Sequence, residues 1–221
     1  METIIKDHIV QFLVDKGFIS KCQHTFIKHH STASNLQASL RDWSIGLNSH
    51  LCTDIVYIDF SKAFDSIVPS KLLFKLELYG ITGQLLNWIH HFLSNRLQCV
   101  VIDRFYSPVC PVISGVPQGS VLGPILFIVY INDIHSVCCG DTASLLFADD
   151  AKLYSNITLD NTSISLQHSL DNLVQWANEW QLTINTNKCS VLSISPAVHS
   201  PLYFINGTAI FRAKTHMLIL V

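Results

Sequence analysis

Two aspartates stand side by side, Asp149-Asp150, with apolar strand-like residues before them (Leu145-Leu146-Phe147) and after them (Ala151-Lys152-Leu153-Tyr154). The pattern predicts a hairpin with a charged tip. Two unit negative charges about 4 Å apart repel by roughly 4 kcal/mol at an effective dielectric of about 20, and burying a carboxylate without a partner adds to that cost. A divalent cation removes both penalties. A second apolar run, Ile55-Val56-Tyr57-Ile58-Asp59-Phe60, ends in a third aspartate. Three carboxylates on neighbouring strand ends suit Mg²⁺, which takes carboxylate oxygens together with substrate phosphates. That chemistry is phosphoryl or nucleotidyl transfer. Taken singly, each motif has a plainer reading, because aspartate is common in hairpin turns and after a strand it often caps the next helix. Between the two motifs lies Gly115-Val116-Pro117-Gln118-Gly119-Ser120. Its glycines let backbone approach a ligand closely, and Gln118 offers both a donor and an acceptor.

The elements that must position these groups are legible from periodicity and punctuation. Residues 2–16 carry Ile4, Ile5, Ile9, Phe12 and Leu13 at helical spacing, closed by Gly17. After a polar stretch from Ser20 to Ser34, Leu36 to His50 reads as a helix leading into the buried strand 52–60. Pro69 opens a helix that Gly80 ends, and Gln84 to Leu93 makes another. Two β-rich runs between Gln98 and Ile113 flank Asp103-Arg104 as a hairpin. The Gly/Pro loop 114–120 then leads into a buried helix near 121–133. An amphipathic helix over Ser163–Gln181 follows the aspartate hairpin, with strands near Leu182–Ile184 and Val191–Ile194. Trp176 and Trp180, four apart on one helix face, read as packing residues.

Length bounds the chain at one domain, and 221 residues bury a substantial core. Hydrophobic residues reach 49% against 14% charged, yet the longest apolar stretch, Ile125–Ile131, is far short of the ~20 residues of a membrane span. The N-terminus lacks the apolar block of a secretory signal. Seven cysteines, an odd number with no C-x-x-C spacing, support neither a disulfide framework nor a zinc knuckle. An intracellular, reducing compartment, cytoplasm or nucleus, is expected. The formal charge of −2 is low for a nucleic-acid enzyme, whose phosphate contacts come from Lys and Arg.

Over nearly its whole length the chain resembles the reverse transcriptase domain of non-LTR (LINE-type) retrotransposons. Asp59-Phe60-Ser61-Lys62-Ala63-Phe64-Asp65 is similar to that family's first catalytic block. Ser114-Gly115-Val116-Pro117-Gln118-Gly119-Ser120-Val121-Leu122-Gly123-Pro124 is similar to its template and nucleotide block, and Phe147-Ala148-Asp149-Asp150 to its double-aspartate block. The resemblance implies an α+β right-hand polymerase palm, its antiparallel sheet carrying the Asp-Asp hairpin with helices packed on one face. It implies a partial fingers region over about 1–50, palm over about 51–195 and the start of a thumb connection over about 196–221. It further implies RNA-directed DNA polymerase activity on an RNA template and a primer strand with dNTPs. Two Mg²⁺ ions, or Mn²⁺ in their place, would be held by Asp59, Asp149 and Asp150. Phe64 falls at the family's aromatic gate against a ribose 2′-OH, although a core aromatic would serve equally there. Gln118 and Gly119 fall where the family meets nucleotide and template. Lys188 matches a lysine placed to protonate the leaving pyrophosphate, with an exposed turn lysine as the plainer alternative. Asp65 reads as a cap or structural residue.

The departures are specific. In Gln23-His24-Thr25-Phe26-Ile27-Lys28-His29-His30-Ser31-Thr32, Thr25 and Ile27 replace a glycine and an arginine of the family's block, and His29 and His30 replace a glycine and an arginine. Thr215-His216-Met217-Leu218-Ile219 stands where the family has an Asp-Leu-Gly turn of the primer grip. Met1 falls inside the family's domain, so the upstream fingers, the thumb and any fused endonuclease would be missing partners. An inactive remnant that binds nucleic acid weakly is the alternative function. A metal-dependent nuclease is a third reading that leaves the Gly-Pro-Gln-Gly block unexplained.

Overall fold

A computed structural model of the chain describes residues 1–28, 30–157, 164–194 and 201–213. In chain order these form α1 (Glu2–Asp15), α2 (Thr32–Asn48), β1 (Cys52–Ile58), α3 (Pro69–Leu78) and α4 (Gly83–Leu93). Four short strands follow, β2 (Arg96–Gln98), β3 (Val101–Ile102), β4 (Phe105–Tyr106) and β5 (Cys110–Val112), then α5 (Gly123–Ile131) and a 3-10 turn over Asn132–Val137. The remainder is β6 (Ala143–Phe147), β7 (Asp150–Ile157), α6 (Ile164–Trp180), β8 (Ser190–Ile194), β9 (Phe204–Ile205), β10 (Thr208–Ala209) and β11 (Phe211–Arg212). Two compact units share these elements: Met1–Phe18 with Lys62–Ile131, and Ile19–Ser61 with Asn132–Val221.

The second unit holds a five-stranded sheet in the order β11-β8-β1-β7-β6. Its centre, β1, pairs antiparallel with β7 (Cys52↔Ile157 through Ile58↔Ala151) and with β8 (Thr53↔Ile194 through Tyr57↔Ser190). Side chains alternate along β1, so Ile55 and Tyr57 face one way and Val56 and Ile58 the other. Helix α2 covers the first face, where Trp43 packs with Ile55, Leu145, Tyr154 and Leu192. Helix α6 lies against the other, with Trp176 edge-on to Phe60 at 6.3 Å. Helices therefore pack on both faces of the sheet, not on one as the resemblance implied. The physical reason is in the strand itself, for Ile55 and Val56 are both fully buried and each face needs its own cover.

Local chemistry explains the element ends. Ser31 caps α2 in a reciprocal capping box with Ser34, which starts the helix at Thr32, ahead of the Leu36 that periodicity alone marks. Leu182–Ile184, expected as a strand, contributes only the bridge Phe60↔Ile184. In the first unit α5 is buried on every side, and the buried Lys75 of α3 satisfies its ammonium on the Tyr130 carbonyl oxygen. No disulfide joins any of the seven cysteines, and no described helix is long and apolar enough to cross a membrane.

Candidate active site

The aspartate pair sits on a two-residue turn. β6 and β7 pair up to Phe147↔Asp150, leaving Ala148 and Asp149 as the connection, with Ala148 at φ +53. Two-residue hairpins need positive φ to match the twist of their strands, and an alanine accepts it at a cost of roughly 1–2 kcal/mol. The strain sits beside the charge, as is common at functional sites. On the neighbouring strand the last registered pair is Ile58↔Ala151. Continuing that register by one residue sets Asp59 across from Asp150, on the same face as Tyr57 and Lys152.

The segment after α6 fixes the strand end. The Asn185 N–H donates to the Asp59 carbonyl at 2.8 Å and the Ser61 N–H to the Thr183 carbonyl at 2.8 Å. The turn that follows brings Lys188 Nζ to 3.9 Å from Asp59 Oδ1, with both side chains partly exposed. Burial pushes the Asp150 carboxyl above its ordinary range, Asp149 and Asp59 push it further, and Lys152 acts the other way. Burial in turn lowers the Lys152 ammonium, against the pull of Asp150. Lys152 lies over the Trp43 ring, 5.7 Å from its centre.

Among the described residues no group of three or more His, Cys, Asp or Glu side chains stands ready around one metal position. The donor set nonetheless fits a hard cation. Mg²⁺ is bound through one or two carboxylates plus substrate phosphates and water rather than in an all-protein cage, and the carboxylates at these strand ends repel one another without it.

Segment 22–24 lies along the edge of β6: Gln23 bridges Leu146, and the His24 N–H donates to the Leu146 carbonyl at 3.0 Å. The His24 and His30 rings meet at a tilt of 31° with centres 4.7 Å apart. Nδ1 of His24 is 2.9 Å from Ser34 Oγ, and Nδ1 of His30 is 2.9 Å from the Gln23 carbonyl oxygen. Burial, His30 and Lys152 all lower the His24 pKa. His29 and the primer-grip residues Thr215–Ile219 lie outside the described residues.

The remaining candidates belong to the first unit. Phe64 stacks on Phe127 with ring centres 4.1 Å apart, which is the contact a core aromatic makes, yet it keeps partial exposure. Gln118 Nε2 donates to Asp65 Oδ1 at 2.9 Å, and Gly119 sits at φ +77 with open space where a Cβ would be. Gly115 has no such freedom. At φ +78 its Cβ would come within 2.8 Å of the Asp65 Cα and 2.9 Å of the Phe64 carbonyl oxygen, so the loop presses on the 64–65 backbone and only glycine fits.

Sequence reasoning missed several residues that hold this machinery. The Arg96 guanidinium donates to the Ser114 carbonyl at 2.9 Å and also to that of Gly115, clamping the loop. Glu2 accepts from the Val121 and Leu122 N–H groups at 2.9 and 3.3 Å, at the entry to α5. Asp54, fully buried on β1, accepts from the Tyr203 hydroxyl at 2.8 Å and from Ser193, and pairs with Arg212 at 3.4 Å. Its partners are 139 to 158 residues away, so no local pattern announces them.

Residues 1–213 match the family described as Reverse transcriptase (RNA-dependent DNA polymerase). The chain belongs to the reverse transcriptase family. It is 29% identical to the RNA-directed DNA polymerase from mobile element jockey of Drosophila melanogaster, over 95% of this chain and 24% of that protein. It is 27% identical to the probable RNA-directed DNA polymerase from transposon BS of the same organism, over 91% and 23%. These relatives are non-LTR retrotransposon polymerases, as the sequence blocks imply, and the chain spans about a quarter of their length. Among solved structures it is similar in fold to telomerase from Candida albicans, solved with a fragment of telomeric RNA, at TM-score 0.66 and 14% identity, covering 94% of this chain and 36% of that one. Telomerase from Candida tropicalis gives TM-score 0.66 at 11% identity, over 93% of this chain and 35% of that one. The mixed helix-and-sheet architecture is thus that of a reverse transcriptase palm.

Proposed function

We propose that this chain is the catalytic portion of an RNA-directed DNA polymerase of a non-LTR retrotransposon, transferring nucleotides from dNTPs to a primer 3′-OH on an RNA template. The observation that carries the reading is the β1–β7 register, which sets Asp59 across from Asp150 with Asp149 in the adjoining turn, in a chain of this family. Asp59, Asp149 and Asp150 would hold the two Mg²⁺ ions. Those ions, when bound, activate the primer hydroxyl, neutralise the triphosphate oxygens and align them for in-line displacement. Lys188, already drawn to the site by Asp59, meets the leaving pyrophosphate and gives it a proton. Phe64 stands beside the sugar and disfavours a 2′-OH, while Gln118 and Gly119 contact nucleotide and template. In this reading the sheet of the second unit is the palm, residues up to about 50 are partial fingers, and the chain from about 196 leads toward a thumb. Fingers, thumb and any endonuclease belong to the longer polyprotein.

A second reading, an inactive remnant with weak nucleic-acid binding, is favoured by the net charge of −2 and by Ile27 and His30 at arginine positions. Primer extension by the full chain on an RNA template with a DNA primer, dNTPs and Mg²⁺ separates the two. Extension that Asp149→Asn reduces by about a thousandfold or more, with an unchanged circular dichroism spectrum, supports the polymerase. Template binding without extension supports the remnant, and extension untouched by Asp149→Asn places the metal site elsewhere.

A further inference from the structure

Asp65 closes the block that opens at Asp59, yet no step above uses it. It caps no helix, since α3 begins at Pro69 with Val68 at its N-cap. Its carboxylate instead accepts from Gln118 Nε2 at 2.9 Å, across 53 residues of chain, and both side chains are exposed. A surface hydrogen bond of that kind contributes little to stability, because water competes for both partners. What sets this one apart is how firmly the two backbones beneath it are joined.

The Gly115 N–H donates to the Ile67 carbonyl at 2.7 Å and the Val116 N–H to the Phe64 carbonyl at 3.1 Å. With Gly115 pressed on the Asp65 Cα and Arg96 holding the Ser114 and Gly115 carbonyls, segments 64–67 and 114–116 form one piece. Pro117 and Ser120 then close a tight turn around Gln118. The Ser120 N–H and hydroxyl both donate to the Pro117 carbonyl, at 3.3 and 2.6 Å, and Gly119 takes the positive φ that the third residue of such a turn needs. All of these residues lie within the first unit. The main chain of Gln118 is therefore fixed, while its long side chain stands exposed, with rotamer freedom to lose.

Asp65 supplies the missing restraint, and with it a sense. A carboxylate only accepts, so the amide turns Nε2 toward it, and Oε1 then faces away as an acceptor that no donor fills among the described residues. We infer that Asp65 is a positioning residue for nucleotide binding, an inference resting on the polymerase reading above, in which Gln118 meets the nucleotide. Asp65 orders the Gln118 side chain before the ligand arrives and presents its carbonyl oxygen to a hydroxyl or N–H donor of the nucleotide. Ordering in advance removes an entropy cost from binding.

Steady-state single-nucleotide extension by the full chain tests this. Asp65→Ala should raise the KM for dNTP about three- to tenfold, the cost of ordering one long side chain on binding, with kcat changed less than KM and the thermal midpoint unmoved. Gln118→Ala should raise KM at least as much, and the double variant should match Gln118→Ala alone, because Asp65 then has nothing to orient. Asp65→Asn, which can donate as well as accept, holds the amide without fixing its sense and should fall between the wild type and Asp65→Ala. In proton–nitrogen correlation spectra of the ligand-free chain, the Gln118 side-chain amide should shift as acid protonates Asp65, and Asp65→Ala should abolish that response. An unchanged KM in Asp65→Ala, additive effects in the double variant, or a Gln118 amide indifferent to Asp65 overturns the inference while extension by the wild type stands. A wild type that extends no primer overturns the polymerase reading, and the inference with it.

Discussion

Asp150 carries an electrostatic conflict in the proposed active site, and the conflict has a measurable sign. Burial, Asp149 and Asp59 raise its pKa in the fold, so the folded chain holds that proton more tightly than the unfolded one. Its contribution to stability is therefore present below the ordinary carboxylate range and is lost as pH rises through the raised value. At neutral pH in EDTA, Asp150→Asn should raise the thermal midpoint rather than lower it. Mg²⁺ should stabilise the wild type more than the variant. Differential scanning fluorimetry across pH, with and without Mg²⁺, reads both, and a variant that melts earlier in EDTA would place the repulsion elsewhere. Phe64 offers a second test because its two readings diverge. Phe64→Val removes the stack on Phe127 and should cost roughly 2–4 kcal/mol of stability in either case. Only a gate also raises the ratio of ribonucleotide to deoxynucleotide incorporation in matched single-nucleotide extensions. The three aspartates were legible from sequence because acidic residues interrupting apolar strands are conspicuous. The Phe127 contact was not, since it joins positions 63 residues apart.

At the scale of elements, the sheet depends on a residue that periodicity hides. Asp54 lies in the middle of an apolar strand, where a charge has no local excuse, and it is held by Ser193, Tyr203 and Arg212. Asp54→Ala removes the buried carboxylate that accepts from Ser193 and Tyr203 and pairs with Arg212, and should cost about 3–5 kcal/mol, lowering the thermal midpoint by roughly 10 °C. Asp54→Ala with Arg212→Met should recover part of that loss, as removing both charges removes the unpaired one. Full additivity of the two losses would mean that the ion pair carries no energy. Elements with strong local punctuation were read correctly: Pro69 and Gly80 bound α3, and Asp103-Arg104 turns the apolar hairpin. Errors fell where tertiary partners decide. The α2 start depends on a serine pair rather than on apolar spacing, and residues 182–184 make one bridge because the Asn185–Lys188 turn breaks the ladder.

For the molecule as a whole, charge would set the terms of the proposed nucleic-acid contact. With 14 Lys and Arg against 16 Asp and Glu, the chain has few cations to release counterions from phosphate. Its affinity for an RNA–DNA duplex should fall with salt along a log–log slope no steeper than about −3, which fluorescence anisotropy from low to physiological salt would measure. A steeper slope would show that the cations are gathered on one surface despite the net charge. The antiparallel pairing of β1 with β7 has a genetic consequence as well. Asp59 falls across from Asp150 because the seven consecutive pairs from Cys52↔Ile157 to Ile58↔Ala151 run past one another without insertion, and a shift of one position turns every side chain to the opposite face. A single lost codon between Asp150 and Ile157 would thus separate the carboxylates, while the same lesion in a surface loop would leave them in place. In a decaying copy of a mobile element, a random deletion in this strand pair would erase the proposed active centre.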